Sequence, residues 1–211
     1  MDAYQLTFQT WDKLAIQYQD KFMDLDLYND TYDLFCECVT KRGAEILEIG
    51  CGPGNITKYI LSKRPDVKFL GTDVSANMIN LAQKNNPAAS FKELDCRSVN
   101  ELNQKFDGIL CGFVVPYLSI ADVKKLITDC SSLLNQGGIF YMSLIEGAYD
   151  ESRMETSSDG KHNLFVYYYQ EQQLLNMFRD NNFESISVIR KDYQKGAGSK
   201  STHLIFIANK K

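Results

Sequence analysis

Three glycines alternate at the end of an apolar run, Ile46-Leu47-Glu48-Ile49-Gly50-Cys51-Gly52-Pro53-Gly54-Asn55. Residues without a Cβ let the backbone turn sharply and let a ligand approach it closely. The helical stretch that follows offers unpaired N–H groups at its start, so the loop suits an anionic or polar group. Two carboxylates end later apolar runs: Asp73 in Phe69-Leu70-Gly71-Thr72-Asp73-Val74-Ser75, and Asp95 in Leu94-Asp95-Cys96-Arg97. An aspartate at a strand tip can accept hydrogen bonds from both hydroxyls of a ribose. Each feature also has a plainer use, the glycines as a tight turn and the aspartates as helix caps. Their order favours a ligand, because the tips of successive parallel strands are where an open α/β sheet forms its crevice.

The elements that must position these residues follow from hydrophobic periodicity. Apolar positions recur at helical spacing from Leu6 to Phe22 and from Leu27 to Val39, predicting two helices before the first strand. Short apolar runs then alternate with helical stretches. Strands are expected at Ala44 to Ile49, Val67 to Thr72, Ser90 to Leu94, Phe106 to Cys111 and Ile139 to Ile145. Helices are expected at Ile56 to Lys63, Ala76 to Asn85 with Ser75 as cap, and Ile120 to Leu134, stopped by Gly137-Gly138. Right-handed crossovers place helices on both faces, a doubly wound α/β sheet. After a helix at Gln170 to Asp180, the runs Ser185 to Tyr193 and His203 to Ala208, joined through Gly196-Ala197-Gly198-Ser199, read as an antiparallel hairpin. The sheet then has seven strands, mostly parallel, with an antiparallel last strand. The polar stretch Glu146 to Gly160 is long for a connection and reads as a lid.

Nicotinamide dinucleotide loops favour G-x-G-x-x-G, and here Asn55 stands in the last glycine's place. The pattern E-x-G-x-G-x-G, opened by Glu48, instead resembles the first motif of the class I S-adenosylmethionine-dependent methyltransferases. The resemblance covers about residues 43 to 209 and implies a Rossmann-like core, an N-terminal helical cap over 1–42 and a lid over about 146–169, all in one domain. It implies S-adenosylmethionine as cofactor, held by Glu48, Gly50, Cys51, Gly52 and Gly54 of the loop. By the same resemblance Asp73 takes the ribose, Val74 and Met78 line the adenine or ribose wall, and Asp95 and Cys96 meet the adenine. The stretch Phe106-Asp107-Gly108-Ile109-Leu110-Cys111-Gly112-Phe113 is similar to the fourth motif, putting Cys111, Gly112 and Phe113 beside the methionine part. Leu133-Leu134-Asn135-Gln136-Gly137-Gly138 resembles the turn into strand five, and Asn182-Phe183 sits where relatives carry Gly-Phe. Tyr18, with Phe22, resembles aromatic positions that close over the cofactor. Where many relatives carry a histidine, this chain has Val115-Pro116-Tyr117-Leu118.

Acceptor residues are harder to find. Tyr117, Glu146, Arg153 and the run Phe165-Val166-Tyr167-Tyr168-Tyr169 are the candidates, with Tyr167 and Tyr169 expected on one face and Tyr168 on the other. Glu155 and the loop residue His162 lie nearby, and no catalytic base is assigned. The 211 residues are 44% hydrophobic and 24% charged with a net charge of −4, which fits one globular domain with a small-molecule acceptor and argues against a nucleic-acid surface. Six cysteines without a C-x-x-C pair and only two histidines leave no metal site in view. With no apolar run long enough to cross a bilayer and no secretory signal, a cytoplasmic monomer or homodimer is expected. A cofactor-binding sensor or partner subunit without transfer activity is the alternative. An RNA nucleoside methyltransferase and an NAD-dependent oxidoreductase rank behind it.

Overall fold

The computed structural model describes residues 3–156, 163–194 and 198–211. Its helices are α1 (Ala3–Lys13), α2 (Ala15–Phe22), α3 (Asn29–Cys38), α4 (Asn55–Lys63), α5 (Ala76–Asn85), α6 (Ile120–Leu133) and α7 (Glu171–Asp180). The strands are β1 (Glu45–Ile49), β2 (Lys68–Asp73), β3 (Ser90–Glu93), β4 (Phe106–Gly112), β5 (Leu134–Ile145), β6 (Arg153–Thr156), β7 (Asn163–Val166), β8 (Phe183–Gln194) and β9 (Lys200–Lys210). Seven of them form one sheet in the order β3-β2-β1-β4-β5-β9-β8, and β6 and β7 form a separate antiparallel pair. The first five strands of the large sheet run parallel, and β9, the last in sequence, runs antiparallel to both β5 and β8.

Side-chain alternation divides the core into two layers. Ile46, Leu110, Tyr141 and Ile205 pack with α3 and α4 through Phe35, Ile56 and Ile60. Their neighbours Leu47, Ile109, Phe140 and Phe206 pack on the other face with α6 and α7 through Leu126, Leu174 and Phe178. A period of two covered on both faces is the pattern of a buried parallel sheet.

The predicted elements recur with three differences. The N-terminal region holds three helices rather than two, because Leu14 leaves helical geometry (φ −91°, ψ 8°) and bends the chain between α1 and α2. Helix α6 stops at Leu133, ahead of the paired glycines, because Leu134 is extended and already paired to Phe106. The segment expected as a lid carries a short 3-10 turn (Tyr149–Glu151) and the β6–β7 ladder, which packs against α1. His162, Gly196 and Ala197 lie outside the described residues.

The N-terminal helices are pinned over the sheet's C-terminal edge by hydrogen bonds. Asp12 on α1 accepts from Ser75 Oγ (2.6 Å) and from the Asn77 backbone N–H (3.1 Å), so a carboxylate sits at the positive end of α5. Tyr4 donates to Asp122 and accepts from the Ser119 N–H (2.9 Å) at the start of α6. Asn85, at the end of α5, donates to Gln19 of α2 and to the Pro53 carbonyl, both at 2.8 Å.

Gly54 caps α4 with φ +81°, and a Cβ there would lie 2.3 Å from Asn86 Nδ2 and 3.3 Å from Ala82 of α5. Its role is to let the glycine loop pack on α5. Gly54→Ala is expected to lower unfolding free energy by about 2 kcal/mol or more, read from urea midpoints, from left-handed strain plus overpacking. Gly137→Ala, also at positive φ but with nothing within 4 Å, is the control and costs about 1 kcal/mol.

Candidate active site

Strand β1 places Glu48 on the same face as Ile46, toward α4. There its carboxylate is buried, 1% exposed, and Oε2 accepts from Thr57 Oγ1 at 2.5 Å. Beyond β1 the chain turns through Gly50, Cys51 and Gly52, with the Cys51 N–H donated to the Thr72 carbonyl (2.9 Å). The Gly52 N–H is donated to Asp73 Oδ2 and the Ser75 N–H to Asp73 Oδ1, each at 2.9 Å. The tip of β2 thus holds the loop from β1 in shape. A Cβ on Gly50 would lie 2.2 Å from Val114 Cγ2, whereas one on Gly52 would point at the Tyr18 ring 3.5 Å away.

A cavity of about 820 Å³ opens along this edge of the sheet. Glu48, Gly50, Cys51 and Gly52 line it from β1 and its loop, and Asp73, Val74 and Met78 from the end of β2 and the start of α5. Cys96, Gly112, Phe113 and Tyr117 line it from the ends of β3 and β4, and Tyr18 from α2. Phe113 adopts φ +58°, held by its N–H to Ser143 Oγ (3.1 Å), and such local strain concentrates where a side chain is aimed into a site.

Other predicted residues stand off the cavity, each for a local reason. Gly54 faces α5. Asp95 caps the 3-10 turn Cys96–Leu102 and its carboxylate is taken by Arg97, with Nη2 to Oδ2 at 2.6 Å. That guanidinium in turn lies 4.3 Å from the Tyr4 ring centre. Cys111 points into the core layer of α6 and α7. Glu146 forms a bidentate pair with Arg190 (3.0 and 2.8 Å), and Arg153 pairs with Glu155 and lies over Tyr168. Tyr167 and Tyr169 do share a side, but both pack on Tyr149, and Tyr169 is fully buried with its hydroxyl on the Leu118 carbonyl. Strand β7 ends at Val166, so the expected alternation does not carry these tyrosines to the cavity.

The lid contributes instead through Glu155, Thr156, Leu164 and Val166. The sequence reading also passed over Trp11, Tyr28, Tyr193 and His203, which all line the cavity. Trp11 stands seven residues before Tyr18, the spacing of one face in an unbroken helix, and across the Leu14 bend their rings meet edge to face at 5.5 Å. That spacing was the available signal. His203 begins the apolar part of an antiparallel last strand, whose early residues must lie beside the C-terminal ends of the parallel strands; Ile145 is its partner in register.

Burial governs the electrostatics. The Glu48 carboxyl is pushed up to about 8, first by desolvation and further by the nearby Asp73 charge, against the lowering bond from Thr57. Desolvation also raises Asp73, although the Ser75 and Gly52 N–H groups oppose it. Burial holds the Tyr18 and Tyr117 phenols well above their ordinary range, so both are neutral. Among the described residues, three buried side-chain polar atoms have no hydrogen-bond partner, and two belong to cavity residues: the acceptor Glu48 Oε1 and the donor Trp11 Nε1. A buried polar atom left unpaired costs about 1–3 kcal/mol, so both favour a ligand with a matching donor and acceptor.

Comparison with known proteins places this fold among methyltransferases. Residues 47–140 match the family described as a methyltransferase domain. A trans-aconitate 2-methyltransferase of Methylobacterium nodulans is 33% identical over 90 residues, 43% of this chain and 33% of that one. A malonyl-[acyl-carrier protein] O-methyltransferase of Acetivibrio thermocellus is 36% identical over 97 residues, 44% of this chain and 34% of that one. The chain therefore spans about a third of the length of these two relatives. Among solved structures, magnesium protoporphyrin IX methyltransferase from Synechocystis, with bound S-adenosylmethionine, superposes with a TM-score of 0.75 at 14% identity, covering 100% of this chain and 98% of that one. A Burkholderia thailandensis 1,6-didemethyltoxoflavin-N1-methyltransferase gives 0.73 at 17% identity, covering 100% and 91%. At these identities the structures speak for the fold.

Because the folded state keeps the Glu48 proton that the unfolded chain releases near 4.5, stability should fall as pH rises from there through about 8. Glu48→Gln has no proton to lose. It is expected to be more stable than the parent at about pH 8 and nearly equal at about pH 5, in urea unfolding followed by circular dichroism.

Proposed function

We propose that the chain, whose residues 47–140 match a methyltransferase domain, is an enzyme of the class I S-adenosylmethionine-dependent methyltransferase family that moves a methyl group from that cofactor to a small, uncharged acceptor. The observation that carries the cofactor assignment is the pair of unsatisfied atoms on cavity residues, Glu48 Oε1 and Trp11 Nε1. An amino acid ammonium answers the Glu48 Oε1 acceptor, and a carboxylate or hydroxyl answers the Trp11 Nε1 donor. The methionine part of S-adenosylmethionine has both an ammonium and a carboxylate.

In this reading Gly52 leaves its backbone open to the ligand, Asp73 takes the ribose hydroxyls, and Val74 and Met78 flank the nucleoside. When bound, the cofactor supplies a methyl group already activated by its positively charged sulfur. The chain's residues hold and orient the two partners and exclude water. Orientation of this kind supplies roughly 7–11 kcal/mol of barrier reduction. Trp11, Tyr18 and Tyr117 form an edge-to-face stack, with Trp11 centred 5.5 Å from each of the others, that roofs the site on the side of α1 and α2.

The cavity's chemistry supports a neutral acceptor. The relatives named above act on carboxylates, trans-aconitate in one case and a malonyl group in the other. Lys21 is the one lysine or arginine that lines this cavity among the described residues, and its ammonium lies 5.1 Å from the Phe22 ring centre. Among the described residues no guanidinium fork lines the cavity to grip an acceptor carboxylate.

Titration calorimetry with S-adenosylhomocysteine tests the assignment. The parent protein should bind it and ignore NAD. Asp73→Asn should weaken binding by about 1.5–3 kcal/mol through lost charge-assisted hydrogen bonds. Gly52→Val should abolish binding while the protein still unfolds cooperatively, because the new side chain enters the cavity toward Tyr18. Unchanged affinity in both variants would reject the site, and binding of NAD alone would reject the family's cofactor for this chain.

A further inference from the structure

Strand order lays the cavity out as a row. Asp73 ends β2 at one side, Gly50 to Gly52 follow β1, Gly112 and Phe113 end β4, Ile145 ends β5, and His203 and Tyr193 lie on β9 and β8 at the far side. Adjacent strands stand about 4.8 Å apart, so β5, β9 and β8 extend the row by roughly 14 Å beyond the glycine loop and β4 that the cofactor reading uses. Aromatic rings wall this far half. Phe113 centres 5.1 Å from Tyr28 and 4.9 Å from His203, and Tyr193 stacks on His203 at 5.2 Å with the planes 14° apart.

One hydrogen-bonded chain runs through the cluster. The Tyr28 hydroxyl meets His203 Nδ1 at 2.7 Å, and Ser201 Oγ meets His203 Nε2 at 2.9 Å. Both Tyr28 and His203 line the cavity, at 5% and 6% exposure. A phenol that donates to an imidazole keeps lone pairs for a second donor, and an imidazole whose far N–H rests on a serine is held in the tautomer that can take a proton. Burial keeps the Tyr28 phenol neutral on its own. Among the described residues, the charged and titratable side chains that face the imidazole include Tyr28 from the turn before α3, Tyr193 on β8, and Lys191, the register partner of His203 on β8, whose ammonium is paired with Asp30.

We propose that Tyr28 and His203 form a proton-accepting pair for an aromatic hydroxyl acceptor, a phenol, held between Phe113 and Tyr193; this rests on the methyl-transfer reading above. The acceptor's hydroxyl proton passes to the Tyr28 oxygen as the Tyr28 proton passes to His203 Nδ1. The acceptor is left as a phenolate and His203 as an imidazolium with Nε2–H on Ser201. No other reactant is consumed. A neutral phenol is a poor nucleophile and a phenolate a good one, and a positioned base of this kind contributes about a hundredfold or more. Aromatic walls without a guanidinium suit a flat, uncharged ring.

The test uses 4-nitrophenol, whose phenolate absorbs visible light and whose phenol does not, added to protein saturated with S-adenosylhomocysteine and buffered below the phenol's own ionisation. The expected result is a bound phenolate band in the parent protein. Tyr28→Phe and His203→Gln should retain S-adenosylhomocysteine affinity by calorimetry and reduce that band about tenfold or more. Tyr28→Phe keeps the ring against Phe113 and stands in if the imidazole proves necessary for folding. Absence of 4-nitrophenol binding, binding as the neutral phenol, or a band that persists in both variants would overturn the proposal. Failure of the parent protein to bind S-adenosylhomocysteine would instead overturn the reading beneath it.

Discussion

The hydrogen bond from the Gly52 N–H to the Asp73 carboxylate, 2.9 Å long, joins the tips of β1 and β2, and the shape of the site depends on it. It holds the glycine loop open with the backbone facing the cavity. Asp73 is itself fixed by the Ser75 N–H, and Ser75 is fixed by Asp12 of α1, so loop, strand tip and N-terminal cap form one connected network. Such a network is preorganised at the cost of crowding charge. Burial makes both Glu48 and Asp73 hard to ionise, and the Asp73 charge adds to this at Glu48 as the Asp12 charge does at Asp73. A ligand bearing positive charge relieves that strain, which couples binding to stability.

The same network explains why the N-terminal helices, rather than the lid segment alone, close the cavity. Helices of eight to eleven residues are marginal in isolation. Here α1 is held by polar ties to the starts of α5 and α6, where Asp12 and the Tyr4–Asp122 pair meet the exposed N–H groups of a helix end, and α2 is held to the end of α5 through Asn85 and Gln19. Their aromatic side then supplies Trp11 and Tyr18 as a roof over the glycine loop.

Two kinds of residue line the cavity, and they come from opposite sides of the sheet order. The β2–β1–β4 side presents backbone and carboxylates, suited to a polar nucleoside. The β9–β8 side presents rings and one buried imidazole. The antiparallel reversal of β9 makes this possible, since it turns the beginning of the last strand, rather than its end, toward the site.

Local features of the chain were enough to read the large sheet and one side of the cavity lining. Glu48, the glycine loop, Asp73 and Met78 lie at or beside strand ends, where a period of two and a turn signal place a residue without knowledge of its distant neighbours. Residues whose partners are remote were not legible in this way. Asp95 is drawn off the cavity by Arg97, whose guanidinium settles over Tyr4, and Glu146 by Arg190, forty-four positions away. Tyr169 is buried by a contact with Leu118 that no periodicity announces. Tyr28 and His203 stand 175 positions apart and meet only because β9 folds back beside β5 while α3 crosses the same face. The sequence by itself determined the seven strands of the large sheet and which loop lines the cavity, because both follow from local pattern and backbone sterics. Tertiary structure decided which charges are already paired and which rings share a wall, because those depend on long-range packing that the linear order of residues does not contain.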